Sequence, residues 1–219
     1  MGNETDDAIT DPAEFWEARY TTTRDENGRV WSGRVNAAVE REVTGLAPGR
    51  ALELGSGEGG DALWLAARGW RVTAVDISAT ALAVGAQTAA RDGLADRIRW
   101  VQADLATWQP DTGYNLVTAA FLHSPVELPR EGILRRAAAA VAPGGRLLVV
   151  GHGEFPSAAK HADHDDAPPL PTPDEVLAAL ELPEGWTVET NAVVGRAVTW
   201  RDGTDLELDD TVLRVRRDG

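Results

Sequence analysis

The sequence has 219 residues, enough for one α/β domain with a full hydrophobic core and few for two. Its formal net charge of -14 argues against a nucleic-acid backbone or an anionic membrane surface as partner, because clustered lysine and arginine side chains bind both. The absence of cysteine excludes disulfides, thiolate metal sites and a cysteine nucleophile. We therefore expect a small neutral or cationic substrate, with the alternative that the acidity serves only solubility.

The N-terminal stretch, MGNETDDAITDPAEF, is acidic and polar and contains no apolar segment. It has the pattern of neither a signal peptide nor a transit peptide, and residues 1–10 are expected to be disordered. No apolar run in the sequence approaches the length that spans a membrane. The sequence therefore predicts a cytoplasmic protein.

A helical cover is predicted ahead of the first strand. Asp11 is a capping acid, Pro12 suits the first helical position, and Glu14 stands three residues after the cap. This helix carries the sequence FWEARY, and a second amphipathic segment follows through Asn36 after the sequence VWSG. The aromatic side chains either pack the cover onto the domain or contact a ligand.

The stretch from Arg50 to Asp76 organises the rest of the chain. The apolar run ALEL is followed by six residues rich in glycine, and the run from Asp61 to Ala67 has apolar residues at helical spacing. A second apolar run, rich in β-branched residues, then ends at Asp76. Strand, loop, helix and strand in this order form a nucleotide-binding half-fold, whose parallel strands need a right-handed crossover.

The glycines fit two ligand-binding patterns. Gly55, Gly57 and Gly60 satisfy the dinucleotide pattern G-x-G-x-x-G, and the segment from Glu53 to Gly59 satisfies E-x-G-x-G-x-G. Glycine suits a sharp turn from strand to helix that a ligand approaches closely. Asp76 ends the second strand, where a carboxylate can accept hydrogen bonds from both hydroxyls of a ribose. Both patterns therefore imply an adenosyl ligand.

Glu53 separates the two patterns. An acid at the end of the first strand would repel a pyrophosphate, whereas it suits a cationic ligand with an amino group. The acid-x-Gly-x-Gly-x-Gly form resembles the first motif of the class I S-adenosylmethionine-dependent methyltransferases. This resemblance implies S-adenosyl-L-methionine as cofactor and S-adenosyl-L-homocysteine as product. An NAD-dependent oxidoreductase stays the alternative interpretation of the glycines.

The same resemblance assigns cofactor-binding residues in the core. It implies that Glu53 and the glycine loop face the methionine part and that Asp76 holds the ribose. Asp104 follows the third predicted strand, where the family has an acid that accepts a hydrogen bond from the adenine amino group; alternatively, Asp104 caps the next turn. The predicted cofactor-binding residues of the core are Glu53, Gly55, Ser56, Gly57, Asp76, Ile77, Asp104, Leu105 and Ala120.

The cover resembles one particular group of the family. The sequences FWEARY and VWSG, followed by Asn36, look like the N-terminal region of the small tellurite-resistance and thiopurine methyltransferase-like enzymes, in which this segment folds over cofactor and substrate. On that resemblance Tyr20 and Trp31 face the sulfonium, because an aromatic face attracts a cation. Arg19 is then the candidate partner of the methionine carboxylate.

The fourth predicted strand, Tyr114 to Ala120, leads to the candidate catalytic residue. His123 follows it at the edge where open α/β sheets bind ligands, and imidazole titrates near neutral pH, so His123 is a candidate general base. Alternatively, it only lines the cofactor pocket, since methyl transfer to a good nucleophile needs alignment more than a base. No Asn-Pro-Pro-Tyr-like sequence follows the strand, which disfavours methylation of nucleobase amino groups. Asn115, where the family usually has aspartate, is expected to be a structural difference.

A polar stretch, residues 157–171, contains His161, His164, Asp165 and Asp166. Their spacing suggests a metal site, but the segment is rich in proline and carries no helix or strand pattern to fix ligand geometry. We therefore expect no metal, and a mobile loop that contacts the substrate.

The end of the chain favours the same family. A helix, a Pro-Gly-Gly turn and a fifth strand are a frequent order in the methyltransferases that the chain resembles, and a capped helix follows at Thr172. A turn at Asp202 and Gly203 is expected between two of the closing strands, which are predicted at 186–194, 197–200 and 211–216. We expect an α/β, Rossmann-like fold: a seven-stranded, mostly parallel sheet with an antiparallel last strand, helices on both faces and an N-terminal helical cover.

The predicted organisation is a single domain of residues 1–219, with a cover at 1–48 and an α/β core at 49–219. The predicted reaction is methyl transfer by direct displacement to an oxygen, nitrogen or sulfur atom of a small-molecule acceptor. A non-catalytic protein that binds S-adenosylmethionine stays an alternative. Neither the acceptor nor the oligomeric state follows from the sequence.

Overall fold

The computed structural model describes residues 10–23, 28–153, 170–199 and 205–219. The predictions for residues 1–9, for most of the polar stretch and for the turn at Asp202 and Gly203 lie outside these ranges. Within them the helices are α1 (Pro12–Thr22), α2 (Ala37–Val43), α3 (Gly60–Ala67), α4 (Ala79–Arg91), α5 (Arg130–Ala140) and α6 (Pro173–Ala179). The strands are β1 (Arg50–Leu54), β2 (Arg71–Asp76), β3 (Ile98–Gln102), β4 (Tyr114–Ala120), β5 (Val141–His152), β6 (Trp186–Thr199) and β7 (Asp205–Arg217).

The strands of the described residues form one seven-stranded sheet in the order β3-β2-β1-β4-β5-β7-β6. Strands β1 to β5 pair in parallel, and β7 is antiparallel to both of its neighbours. The strand order reverses between β1 and β4, so a crevice opens at the carboxyl ends of these strands. The predicted α/β sheet with an antiparallel last strand is therefore confirmed.

The two faces of the sheet carry separate hydrophobic cores. One core joins the sheet to α2 and α3 and includes Leu148, and the other joins it to α5 and α6 and includes Leu147. These two leucines are neighbours in β5, and successive side chains of a strand point to opposite faces. A strand buried on both faces reads as a continuous apolar run, as β5 and β4 do.

Local capping sets the start of most helices. The side chains of Asp11 and Ser78 accept hydrogen bonds from the Glu14 and Ala81 backbone N–H groups, and Thr172 forms a full capping box with Glu175. The caps at Asp11 and Thr172 were predicted from the sequence and are confirmed.

Two predicted boundaries are wrong. The segments 186–194 and 197–199 form one strand, β6, because Gly195 and Arg196 stay paired with β7 opposite Asp209 and Leu208. The sequence also predicts a helix from Glu131 to Val141, but helix α5 ends at Ala140 and Val141 already belongs to β5. Both differences arise from pairing with distant strands, which a local pattern does not contain.

Candidate active site

The loop after β1 needs its glycines for two reasons. Gly55, Gly57 and Gly59 have φ angles of 68°, 53° and 78°, which residues other than glycine rarely adopt. A Cβ atom at Gly57 would also lie 2.8 Å from the hydroxyl oxygen of Tyr20. One at Gly55 would lie 2.8 Å from Leu122 Cδ1. The loop therefore passes directly under the cover and beside the segment that follows β4.

Three buried carboxyl groups lie near the carboxyl ends of β1 and β2: Glu53, Asp61 and Asp76. Burial raises the pKa of each, to about 6 for Asp61 and well above the ordinary value for Glu53. Repulsion from the other two acids raises the pKa of Glu53 further. Glu53 Oε2 accepts no hydrogen bond from any described residue. A cationic ligand would relieve this unfavourable concentration of buried acids.

Asp76 supports the glycine loop from the end of β2. Its Oδ2 accepts a hydrogen bond from the Gly57 N–H at 2.7 Å, and its Oδ1 accepts one from the Ser78 N–H at 3.0 Å. Each carboxylate oxygen can accept two hydrogen bonds, so both oxygens retain capacity for a ligand hydroxyl. Asp76 therefore shapes the glycine loop, and its contact with a ribose stays a prediction.

Glu58 ties the cover to the glycine loop. Its side chain is buried, and its two oxygens accept hydrogen bonds from the Val30 and Trp31 backbone N–H groups, each at 3.1 Å. Asp61 acts in the same way, because its Oδ1 accepts from the Asn36 N–H at 2.7 Å. Two carboxylates of the loop and of α3 therefore fix the segment that leads into α2.

The aromatic residues of the cover meet above the same loop. The Trp31 Nε1–H donates a hydrogen bond to the Tyr20 hydroxyl at 3.0 Å. Tyr20 is buried, whereas 47% of the Trp31 surface is exposed. The Arg19 guanidinium lies 5.5 Å from the centroid of the Trp31 ring. The cover thus brings two aromatic rings and one cation to Gly57.

Helix α1 is held in place at its other side by Glu17. This carboxylate accepts hydrogen bonds from the hydroxyls of Ser78, at 2.7 Å, and of Thr80. Desolvation raises the pKa of Glu17, but these hydrogen bonds outweigh it and leave the pKa below its ordinary value. Helix α1 is therefore attached to the start of α4, directly after Asp76.

The residues predicted to contact adenine lie at the edge formed by β2 and β3. Asp104 is exposed and its Oδ1 accepts a hydrogen bond from the Ala106 N–H at 2.8 Å, so it caps the following turn. Leu105 is buried, and its carbonyl accepts from Arg136 Nη2 at 2.6 Å. Ile77 is half-buried beside them, and its carbonyl accepts from the Gln102 side chain. The capping alternative for Asp104 and the adenine role are compatible.

His123 lies on the β5 side of β4. A Cβ atom at Gly151 would be 3.1 Å from His123 Nε2, whereas the preceding residue, Leu122, lies against Gly55. Burial, with the nearby charge of Arg130, lowers the pKa of His123 to about 4. The imidazole is therefore neutral at pH 7 and a weaker base than the sequence suggests. Its catalytic role stays a proposal.

Residues 51–145 match the protein family described as a methyltransferase domain. The chain is 33% identical over 153 residues to the 2-heptyl-1-hydroxyquinolin-4(1H)-one methyltransferase of Mycobacteroides abscessus, covering 66% of this chain and 62% of that protein. It is 32% identical over 113 residues to ribosomal RNA small subunit methyltransferase C of Alcanivorax borkumensis, covering 50% of this chain and 34% of that protein. It thus spans less than two thirds of either relative.

This chain contains a class I S-adenosylmethionine-dependent methyltransferase domain. The cofactor of such domains is S-adenosylmethionine, and the predicted family is confirmed.

Solved structures share the fold of this methyltransferase domain. The structure reported under "Conversion of a Disulfide Bond into a Thioacetal Group during Echinomycin Biosynthesis" has a TM-score of 0.67 at 25% identity, covering 94% of this chain and 91% of that one. The N-methyltransferase NodS from Bradyrhizobium japonicum, in complex with S-adenosyl-L-homocysteine, has a TM-score of 0.65 at 18% identity, covering 95% and 100%. TehB from Haemophilus influenzae has a TM-score of 0.63 at 17% identity, covering 84% and 63%.

Sequence reasoning missed the polar residues that join the cover to the candidate site. Glu58 was treated as a variable position of the glycine motif, and Asp61 as the start of a helix. Their partners lie in the cover, 25 to 28 residues earlier in the chain. Glu17 was likewise unassigned, because its partners in α4 are 61 and 63 residues away. Only the position of Asp61 at the start of a helix was visible in the local sequence.

The metal and membrane predictions concern residues outside the candidate active site. Within the described ranges, no group of three or more His, Cys, Asp or Glu side chains could hold a metal ion. His161, His164, Asp165 and Asp166 lie outside those ranges. Among the described residues no helix is both long and apolar enough to cross a membrane.

Proposed function

We propose that this chain transfers a methyl group from S-adenosylmethionine to an oxygen, nitrogen or sulfur atom of a small-molecule acceptor. The observation that carries the proposal is the group of buried acids beside the glycine loop. Glu53 Oε2, together with Ser56 Oγ and Arg19 Nε, is a buried polar atom without a hydrogen-bond partner in the described part of the chain. Unsatisfied buried groups of both charges suit an amino acid ligand with an amino group and a carboxylate.

The proposed binding residues divide the cofactor into three parts. Glu53 and the loop residues Gly55, Ser56 and Gly57 would hold the amino end of the methionine part, with Arg19 at its carboxylate. Asp76 and Ile77 would hold the ribose, and Asp104 and Leu105 the adenine. Tyr20 and Trp31 would face the sulfonium, and Ala120 would line the floor at the end of β4. The arrangement is supported by their common position at one edge of the sheet.

The cofactor, when bound, supplies an activated methyl group on a sulfonium. The protein's own contribution is to align the acceptor and to exclude water, with the cover closing over Gly57. Aromatic faces near the sulfonium stabilise positive charge, which disperses as the reaction proceeds. The reaction is a direct displacement and needs no covalent intermediate on the protein.

A small acceptor is favoured over RNA. The formal net charge of -14 disfavours contact with a phosphate backbone, and Phe121-Leu122-His123 follows β4 where an Asn-Pro-Pro-Tyr-like sequence is absent. The match to the ribosomal RNA methyltransferase covers about half of this chain. A cytoplasmic location and the division into cover, 1–48, and core, 49–219, belong to the same proposal.

Methyl transfer is tested by S-adenosylhomocysteine release from the purified chain. We expect release with members of a panel of small hydroxyl, amine and thiol compounds, and none with 30S ribosomal subunits or their RNA. Methylation of the RNA alone would contradict the proposal. Tight binding of S-adenosylmethionine without turnover of any acceptor would favour a non-catalytic binding protein instead.

A further inference from the structure

Three aromatic rings stack at the carboxyl ends of β4 and β5, and His152 contacts both of the others. The Phe121 and His152 rings stack with centroids 4.2 Å apart and an angle of 20° between planes. The His123 ring lies 5.9 Å from His152 at 23°. The three rings, called the ring wall below, are half-buried. None of them is needed for the proposed cofactor contacts around β1 and β2.

Phe121 adopts a backbone conformation that is unfavourable for its side chain. Its φ angle is 51°, in the left-handed region, and its carbonyl accepts a hydrogen bond from the His123 N–H at 2.7 Å. A bulky residue in this region is strained, and such strain concentrates at functional sites. Here the conformation turns the chain sharply after β4, and the Phe121 ring stacks on His152.

The charges around the ring wall disfavour a cationic acceptor. Arg196 forms a two-point ion pair with the buried Asp210, at 2.7 and 3.2 Å, and lies 5.8 Å from the centroid of the Phe121 ring. Arg130 acts on His123 from α5 and has its Nε bonded to the Leu122 carbonyl. The positive charge of Arg130 beside His123 favours a partly anionic oxygen at this place.

A small polar cradle lies next to the rings. Gly151 has no side chain, and a Cβ atom there would lie 3.1 Å from His123 Nε2 and 2.8 Å from Thr211 Oγ1. His123 Nε2 is buried and has no hydrogen-bond partner in the described ranges. A hydroxyl group needs such a pair of neighbours, because it both donates and accepts.

We propose that the ring wall and this cradle form the acceptor site, and that the acceptor is a planar aromatic compound with an ionisable hydroxyl group. This inference rests on the proposed methyltransferase function. The aromatic ring of the acceptor contacts the exposed edges of these half-buried rings, and its hydroxyl lies at His123 Nε2 and Thr211 Oγ1. His123 and His152 are both neutral at pH 7, because burial lowers the pKa of each.

The transfer step involves the acceptor hydroxyl, the sulfonium, His123 and Arg130. The acceptor oxygen forms a bond to the methyl carbon, and the bond from that carbon to the sulfonium sulfur breaks with its electron pair staying on sulfur. The hydroxyl proton leaves along its hydrogen bond to His123 Nε2 and passes to water. Arg130 lowers the energy of the developing aryl oxide, so His123 positions the proton's path without having to be a strong base.

Three probes with one carbon skeleton test the acceptor class: 2-naphthol, 2-naphthylamine and decahydro-2-naphthol. The protein is first shown to bind S-adenosylmethionine by calorimetry, and S-adenosylhomocysteine release is then measured with each probe. We expect 2-naphthol to be turned over at least 10-fold faster than the amine or the saturated alcohol. Equal or better turnover of either comparison probe overturns the inference, as does a failure of 2-naphthol both to bind and to react. Loss of S-adenosylmethionine binding would instead contradict the proposed function.

Phe121→Leu tests the aromatic contact with the acceptor separately from folding. We expect Phe121→Leu to raise KM for 2-naphthol about 3- to 10-fold with a much smaller change in kcat, because an aromatic contact is lost. Val188→Ala, at an exposed position of β6, is the matched control and should match the parent. An unchanged KM in folded Phe121→Leu, shown by its circular dichroism, would exclude the ring wall.

Discussion

Asp76 has two roles at the residue scale, since it accepts the Gly57 and Ser78 N–H groups and faces the proposed ribose position. We expect Asp76→Ala to weaken S-adenosylmethionine binding by about 100-fold or more, because hydrogen bonds to a charged group are among the stronger ones. Calorimetric titration of the purified variant measures this. Tight binding by Asp76→Ala would contradict the site.

His123→Ala is the matched comparison for that experiment. His123 lies against Gly151 on the acceptor side, so its removal should leave cofactor affinity within about twofold of the parent. Acceptor turnover should fall in the same protein. A large loss of cofactor affinity in His123→Ala would place this histidine in the cofactor pocket, as the alternative interpretation of the sequence had it.

The charged form of Asp61 destabilises the folded protein, and this effect depends on pH. Burial raises its folded-state pKa to about 6, above the value of the unfolded chain, so the folded state binds the proton more tightly. Above pH 6 the buried charge lowers the free energy of unfolding by its full amount, about 3 kcal/mol. It falls as the pH drops from about 6 to about 4.

Asp61→Asn removes that charge and keeps an oxygen for the Asn36 N–H. We expect its free energy of unfolding in urea to exceed that of the parent by about 1 to 2 kcal/mol at pH 8, and the difference to vanish below pH 4. Asp96→Asn, at an exposed position, serves as the control and should show no pH-dependent difference. A destabilised Asp61→Asn at pH 8 would mean that the carboxylate is stabilised in the folded state.

At the scale of elements, the attachment of α1 depends on a few contacts with the core. Glu17 accepts from Ser78 and Thr80, and Trp16 Nε1 donates to Ser124 Oγ at 3.2 Å. We expect Glu17→Ala to increase amide hydrogen exchange across α1 at least 10-fold, with the exchange of β1 and β4 unchanged. S-adenosylmethionine affinity should fall a few fold as Tyr20 loses its support.

Glu14→Ala is the control for the attachment of α1, because the Glu14 side chain is exposed on the same helix. The amide hydrogen exchange of α1 in Glu14→Ala should match that of the parent protein. If Glu17→Ala left α1 as protected as before, the aromatic contacts alone would account for the position of the cover.

Elements were predictable where a local signal sets them. The caps at Asp11, Ser78 and Thr172 act within one turn of helix, so the sequence contains both partners. Strand β6 was divided wrongly at Gly195, because the residues that keep it extended belong to β7. Glycine weakens a strand pattern in the sequence, but pairing with a neighbour overrides that preference.

At the scale of the whole molecule, the candidate site follows from the motifs only in part. Glu53, the glycine loop and Asp76 are close in sequence and meet at one edge of the sheet, as expected from the order of strands. The ring wall was not predicted, although His123 was singled out, because the pairing of β4 with β5 brings together rings that are up to 31 positions apart in the chain. Long-range packing carries no periodic signal in the sequence.

The central claim is that a cationic adenosyl ligand binds beside the buried acids. Calorimetric titration with S-adenosylmethionine, S-adenosylhomocysteine and NAD in parallel tests it most directly. We expect micromolar binding of the first two and none of NAD, with S-adenosylmethionine affinity falling below pH 6 as Asp61 and the other acids hold protons. Binding of NAD alone, or of neither adenosyl-sulfur compound, would contradict the account.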